Sequence, residues 1–153
     1  MASLKTDTYH VLGNIIRFRL SSADTGGAFS LVEARTRPGA GAPPNRHAAD
    51  REAFLVVSGR YEFDLEGRVE THGPGALVRV PDGKPHSFRN IADEDSAMMI
   101  VIWPGRGHEE FFTAVGEPLA SGETRFPEGG PPPDIPAIVE IAKRCGIELL
   151  VPA

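Results

Sequence analysis

The stretch GAGAPPNRHAADREAFLVVSG, residues 39–59, decides how this chain folds and where it can bind a ligand. Asn45 and His47 are two positions apart, so in an extended strand their side chains point to the same face. The two prolines just before Asn45 favour that extended geometry, because proline fixes φ and restricts the residue before it. Glu52 follows at the head of the apolar run 53–57, which we predict to be a buried strand.

A second stretch, GALVRVPDGKPHSFRN over residues 75–90, supplies another imidazole. His86 follows a Pro/Gly turn and begins a short strand in which Phe88 and Asn90 share its face. Two imidazoles and a carboxylate from separate strands are what an open divalent-metal site requires. Spacing alone leaves two interpretations open, since Glu52 could also be a charge at a strand edge. The remaining histidines, His10, His72 and His108, are assigned to the surface or to a satisfied core.

Alternating apolar and polar residues mark further strands. Tyr61, Phe63 and Leu65 alternate with charged residues, as in a strand with one buried face. Glycine and proline, 17 and 14 of the 153 residues, punctuate the strands with turns. About nine short strands at this spacing predict an all-β sandwich or barrel over residues 1–104. Helical spacing then predicts a short helical, proline-rich extension over residues 105–153 that packs on the barrel.

Composition narrows the classes of partner. The net charge of −5, without a basic patch, disfavours nucleic acid, and no helix-turn-helix segment precedes the barrel. A lone cysteine excludes an intrachain disulfide. The first residues lack the apolar core of a signal peptide, and no apolar run reaches the ~20 residues of a membrane span. We therefore expect a soluble, cytoplasmic protein with no membrane or nucleic-acid partner.

These two stretches resemble the motifs of the cupin superfamily. Residues 39–59 follow the first cupin motif in spacing, with Asn45 where histidine is usual, and residues 75–90 follow the second without a departure. The resemblance implies a double-stranded β-helix, a cupin jelly-roll barrel that is often a homodimer. The usual metal ligands of the family fall here on His47, Glu52 and His86, with Asn45 at the fourth place.

A looser similarity links the chain to small single-domain cupins of the quercetin 2,3-dioxygenase-like group. It rests on residues 25–33, on Glu110-Phe111-Phe112 and on residues 141–150. This resemblance implies a metal-dependent dioxygenase that acts on a small hydroxylated or aromatic substrate. The divalent transition metal would be Fe, Mn, Ni or Zn, and Glu52 would serve as ligand and proton acceptor. Candidate walls of the substrate pocket are aromatic or apolar residues of the predicted strands: Tyr61, Phe63, Phe88, Met98, Ile100 and Trp103.

Asn45 keeps other functions open. An amide oxygen is a harder and weaker donor than an imidazole nitrogen, so Zn, Ni and Cu lose more affinity than Fe(II) or Mn. The alternatives are a non-catalytic barrel that binds a small molecule beside a weakened metal site, and a metal-assisted isomerase or decarboxylase. If residue 45 faces the metal, Asn45→His should tighten metal binding by about 10–100-fold.

Overall fold

The structure, a computed structural model, describes residues 4–151, which form twelve β-strands and two α-helices. The strands are β1 Thr8–Val11, β2 Asn14–Leu20, β3 Ser30–Thr36, β4 Gly41–His47, β5 Arg51–Ser58, β6 Tyr61–Leu65, β7 Arg68–His72, β8 Leu77–Arg79, β9 His86–Asn90, β10 Ser96–Trp103, β11 Glu117–Leu119 and β12 Ile147–Leu149. The helices are α1 Arg106–Val115 and α2 Ile135–Arg144. None of the helices in this range is both long and apolar enough to cross a membrane.

Two antiparallel sheets form the barrel. One has seven strands in the order β11-β1-β2-β3-β10-β5-β8, and the other has five in the order β12-β4-β9-β6-β7. Aromatic rings join the two sheets: Phe54 of β5 packs against Phe63 of β6 and Phe88 of β9, at ring-centroid distances of 5.4 and 5.6 Å. The architecture is the predicted double-stranded β-helix, and strand alternation explains it. In β6, for example, every second side chain is buried between the sheets.

Strand β5 departs from the prediction of a buried run. Phe54 and Val56 are buried, but Leu55 and Val57 are 41% and 52% exposed, so the prediction is wrong for these two residues. The physical reason is the period of a strand: only one face of β5 meets the core, whatever the hydrophobicity of the other face. Leu77, opposite Leu55 on the edge strand β8, is 71% exposed. An apolar strip therefore lies on the outside of the seven-stranded sheet.

The segment after residue 104 adds to both sheets. Strand β11 pairs with β1 at the edge of the larger sheet, and β12 pairs with β4 at the edge of the smaller one. Asp134 caps α2, since its carboxylate accepts a hydrogen bond from the backbone N–H of Ala137. Pairing of β12 with β4 matters for the site, because β4 carries Asn45 and His47.

Candidate metal centre

His47, Glu52 and His86 meet inside the barrel, and all three are buried. The Nε2 atoms of His47 and His86 lie 3.1 and 2.7 Å from the same carboxylate oxygen, Oε1 of Glu52, and 3.2 Å from each other. Each residue comes from a different strand, β4, β5 and β9. The structure therefore brings together the three residues that the motif spacing singled out.

The second nitrogen of each ring fixes which nitrogen carries the proton. Nδ1 of His47 lies 2.6 Å from the carbonyl oxygen of Asp50, and Nδ1 of His86 lies 2.8 Å from that of Lys84. A carbonyl oxygen only accepts hydrogen bonds, so Nδ1 is the donor in both rings. In a neutral imidazole Nε2 is then left with its lone pair, and both lone pairs face the Glu52 carboxylate, which is itself an acceptor.

Such a cluster of acceptors fits a divalent cation. Without a cation, the lone pairs repel unless the buried imidazoles become charged, which costs desolvation energy. Imidazole Nε2 with carboxylate oxygen is a donor set that suits Fe, Zn, Ni and Mn. Anchoring of the outer ring nitrogen by a carbonyl is also the usual support of a metal-binding histidine.

A third histidine, His108, reaches the same cluster from α1. Its side chain is buried, its Nε2 lies 4.0 Å from Oε2 of Glu52, and its ring packs edge-on against His47 with centroids 4.5 Å apart. Ligand atoms of His47, Glu52 and His108 all lie within 4.8 Å of one another. Our assignment of His108 to the surface or a satisfied core missed this position in the cluster.

Asp50 connects α1 to the cluster. One carboxylate oxygen accepts hydrogen bonds from the backbone N–H and the ring Nδ1 of His108, at 3.0 and 2.7 Å. The other oxygen accepts from the backbone N–H of Gly105, at 3.0 Å. An anion at this place also interacts favourably with the dipole of α1. Since the Asp50 carbonyl holds His47, one residue orients two imidazoles.

The cluster shifts the acidities of its members. Burial opposes ionisation of Glu52, but contacts with His47 and His86 outweigh it and hold the pKa of this carboxyl well below its usual range. Burial likewise opposes the charged form of His47, yet the adjacent Glu52 carboxylate raises the pKa of this imidazole. Burial is also overcome at Asp50, where His108 lowers the pKa. The acidic members are therefore ionised at neutral pH.

Asn45 lies where β4 meets β9. It is opposite His86 in the β4–β9 pairing, beside a register shift between Ala42 and Asn45. Its side-chain amide nitrogen donates to the carbonyl oxygens of Pro43 and His86, at 2.9 and 3.3 Å. The bond to His86 connects the two strands where the ladder is interrupted, and the bond to Pro43 lies within β4.

An apolar cavity of about 80 Å³ adjoins the cluster. Its polar wall includes Asn45, Glu52, His86 and His108, and its apolar wall includes Ile16, Phe54, Phe88, Ile100, Phe111, Phe112, Ile147 and Leu149. This volume holds about two or three water molecules. A ring-sized ligand therefore requires movement of wall residues, several of which come from α1 and β12.

The predicted pocket walls divide into two groups. Phe88 and Ile100 line this cavity. The structure places Tyr61, Phe63 and Met98 in the core, fully buried and away from the cavity lining, and Trp103 at the end of β10, also outside it. Sequence reasoning missed the contributions of α1 and β12. The position of α1 depends on a long-range pairing that the sequence does not show: Ile102 of β10 lies opposite Glu52, so the chain leaves β10 beside the cluster.

Comparison with known families agrees with the fold. Residues 32–103 match the Cupin_2 family, described as a cupin domain. The matched segment is less than half of the chain, and the match agrees with the double-stranded β-helix fold. A segment of 68 residues is 32% identical to polyketide synthase CurC of Streptomyces cyaneus, and it covers 44% of this chain and 44% of that protein. The chain thus aligns with less than half of the length of this relative.

Solved structures give the same architecture. KdgF from Halomonas sp. superposes with a TM-score of 0.58 at 21% identity, over 68% of this chain and 94% of that one. A predicted oxalate decarboxylase from Thermotoga maritima gives 0.57 at 19% identity, over 59% and 79% of the two chains. The polyketide cyclase RemF from Streptomyces resistomycificus gives 0.54 at 23% identity, over 66% and 70%. At these identities the likeness concerns the fold.

Proposed function

We propose that the protein is a metal-dependent enzyme that carries out dioxygenase-type oxidation of a small hydroxylated or aromatic substrate. The observation that carries the proposal is the convergence of the Nε2 lone pairs of His47 and His86 on the Glu52 carboxylate, next to an apolar cavity. Two imidazoles and one carboxylate with open positions are the ligand set of non-haem iron oxygenases. Membership of the quercetin 2,3-dioxygenase-like group is part of what we propose.

In this proposal some residues bind the metal and others form the substrate pocket. His47, Glu52 and His86 hold the metal, and the lowered pKa of Glu52 makes this carboxylate a weak proton acceptor, so we assign it to binding. The apolar wall excludes water and favours an aromatic or aliphatic substrate body. A bound divalent metal supplies polarisation of a substrate oxygen, and a redox-active ion such as Fe(II) supplies reaction with dioxygen.

A second candidate is metal-assisted proton transfer, such as isomerisation or cyclisation. The 32% identity to a polyketide synthase favours it, because a substrate with several carbonyl groups is enolisable and would bind the same site through oxygen. This reaction consumes no dioxygen. A non-catalytic barrel that binds a small molecule is the third outcome.

The test starts from full-length protein purified without a tag. Metal content is measured before and after reconstitution with Fe(II), Mn(II), Ni(II) or Zn(II), and oxygen uptake is followed with catechols and flavonols. We expect one metal per chain and oxygen uptake. His86→Ala should abolish both, whereas His72→Ala, which removes a histidine paired with Glu70 outside the cluster, should change neither.

The possible results separate the three functions. One metal with conversion of 1,3-diketones but no oxygen uptake would replace the dioxygenase proposal with the second candidate. One metal without turnover of either substrate panel would indicate a binding protein. Metal below stoichiometry that none of the four ions restores would overturn the enzyme proposal.

A further inference from the structure

We propose that His108 is a metal ligand, supplied by the helix that follows the barrel. The inference rests on the proposed metal centre and names a further ligand of the same site. Residue 108 lies outside the cupin motif positions. Helix α1 and its contacts with Asp50 bring His108 to the cluster.

The position of His108 satisfies the distance requirement. Two ligands at ~2.1 Å from one ion are separated by roughly 3–4 Å, depending on the coordination geometry. The separation of 4.0 Å between Nε2 of His108 and Oε2 of Glu52 lies in this range. Together with His47, these donors fall within 4.8 Å of one another, which a small rotation of a side chain brings to coordination distance.

The orientation of the ring points the correct nitrogen at the cluster. Nδ1 of His108 faces the ionised carboxylate of Asp50 at 2.7 Å, so Nδ1 is the hydrogen-bond donor and Nε2 has the free lone pair. Asp50 also holds the backbone of His108. Ring and backbone are thus fixed by one buried carboxylate, the support that metal-binding histidines commonly have.

The side-chain amide nitrogen of Asn45 contributes to the strand structure. It donates to the carbonyl oxygen of Pro43 on its own strand and to that of His86 on β9, beside the register shift. Removal of Asn45 should therefore weaken the pairing of β4 with β9, and the role of His108 as a ligand does not depend on residue 45.

A three-imidazole, one-carboxylate set changes the expected metal preference. Imidazole suits Zn, Cu, Fe and Ni, so His108 restores the affinity for borderline metals that an amide oxygen at position 45 would lower. Six-coordinate metals would still have two positions for substrate or dioxygen. The proposed oxidation therefore remains compatible with the fourth protein ligand.

The experiment counts imidazoles. Metal-free full-length protein is loaded with one equivalent of Cu(II), and pulsed electron paramagnetic resonance counts the remote ring nitrogens of the coordinated histidines. A competing chelator gives the affinity for Zn(II). We expect three imidazoles in the wild type, and two in His108→Gln with an affinity at least ~10–100-fold lower, the scale of altered metal shells. The matched control His72→Gln should keep three.

The possible results separate the role of His108 from the proposed metal function. Stoichiometric metal with two imidazoles in the wild type would overturn the role of His108 and leave the proposed metal function intact. Three imidazoles in His108→Gln would do the same. No stoichiometric metal in the wild type would overturn both proposals. If His108→Gln does not fold, the wild-type count decides the question alone.

Discussion

Replacement of Asp50 by asparagine tests whether one buried carboxylate joins α1 to the barrel and supports the site. Asp50 accepts hydrogen bonds from three N–H groups, two on His108 and one on Gly105. An amide of the same shape retains one acceptor oxygen and turns its NH₂ group towards a donor. At least one buried N–H group then loses its partner.

The magnitude follows from these contacts. An unsatisfied buried donor costs about 1–3 kcal/mol. Loss of an anion at a helix N-terminus costs about 0.3–1 kcal/mol more. We expect Asp50→Asn to lower the free energy of unfolding by about 1.3–4 kcal/mol. For a chain of this size that is a decrease in Tm of roughly 3–16 °C.

The assay is urea denaturation of the metal-free protein at pH 7, followed by Zn(II) competition. Metal affinity should fall by about 10–100-fold. The matched control is Asp134→Asn at the exposed start of α2, where asparagine caps equally well and the change should be within about 0.5 kcal/mol. Equal stability and equal affinity of the two variants would refute the role of Asp50.

The pH dependence gives a second readout of the same residue. His108 depresses the pKa of Asp50 below its ordinary value in the folded protein. The stabilisation is therefore complete above the unfolded pKa of about 3.9 and is lost as the pH falls through the lower folded value. Wild type and Asp50→Asn should differ fully at pH 5–7, and their difference should shrink only in stronger acid. A difference that disappears at pH 6 would contradict this account.

Three further predictions concern the metal, the core and the surface. Metal affinity should fall steadily from pH 7 to pH 5, because protons compete with the metal for the imidazoles. Competition with a chelator at several pH values measures this affinity, and a constant value would contradict the prediction. Thr36→Val should lower the free energy of unfolding, measured by urea denaturation, by about 1–3 kcal/mol. The Thr36 hydroxyl lies 2.9 Å from the Tyr61 hydroxyl, at a place where burial raises the pKa of Tyr61 to about 12. A change below about 0.5 kcal/mol would contradict a buried hydrogen bond here. We also propose that the exposed strip with Leu55 and Leu77 is the interface of a homodimer. Light scattering should then show Leu77→Lys as a monomer, and Val69→Lys, on the other sheet, as a dimer. A monomeric wild type would refute this interface.

The strands and the two histidines His47 and His86 were accessible from sequence because they depend on local patterns. A period of two places each histidine on the buried face of its strand. The resemblance to the cupin motifs added Glu52, for which spacing alone left a strand-edge charge open. The turn before His86 likewise predicts where its strand begins. These features require no knowledge of which strands are neighbours.

His108 and Asp50 were not accessible by the same reasoning. His108 is 61 positions from His47 in the chain, and only the pairing of β10 with β5 brings the start of α1 to the site. Asp50 acts through hydrogen bonds to groups 55 and 58 residues away. Long-range register decides both positions, and local periodicity contains no information about it. The exposure of Leu55 has the same origin.

Pairing of β12 with β4 has a consequence for the order in which the protein can form during synthesis. Ribosomes make β4 about a hundred residues before β12, so the outer edge of β4 has no partner strand until residues 147–149 emerge. His47 lies on β4 opposite Ile147, so it has no neighbour on that side until β12 has been made. Metal capture by the growing chain should therefore be delayed until translation has passed β12, and a ribosome stalled before residue 147 would carry a barrel with an open edge.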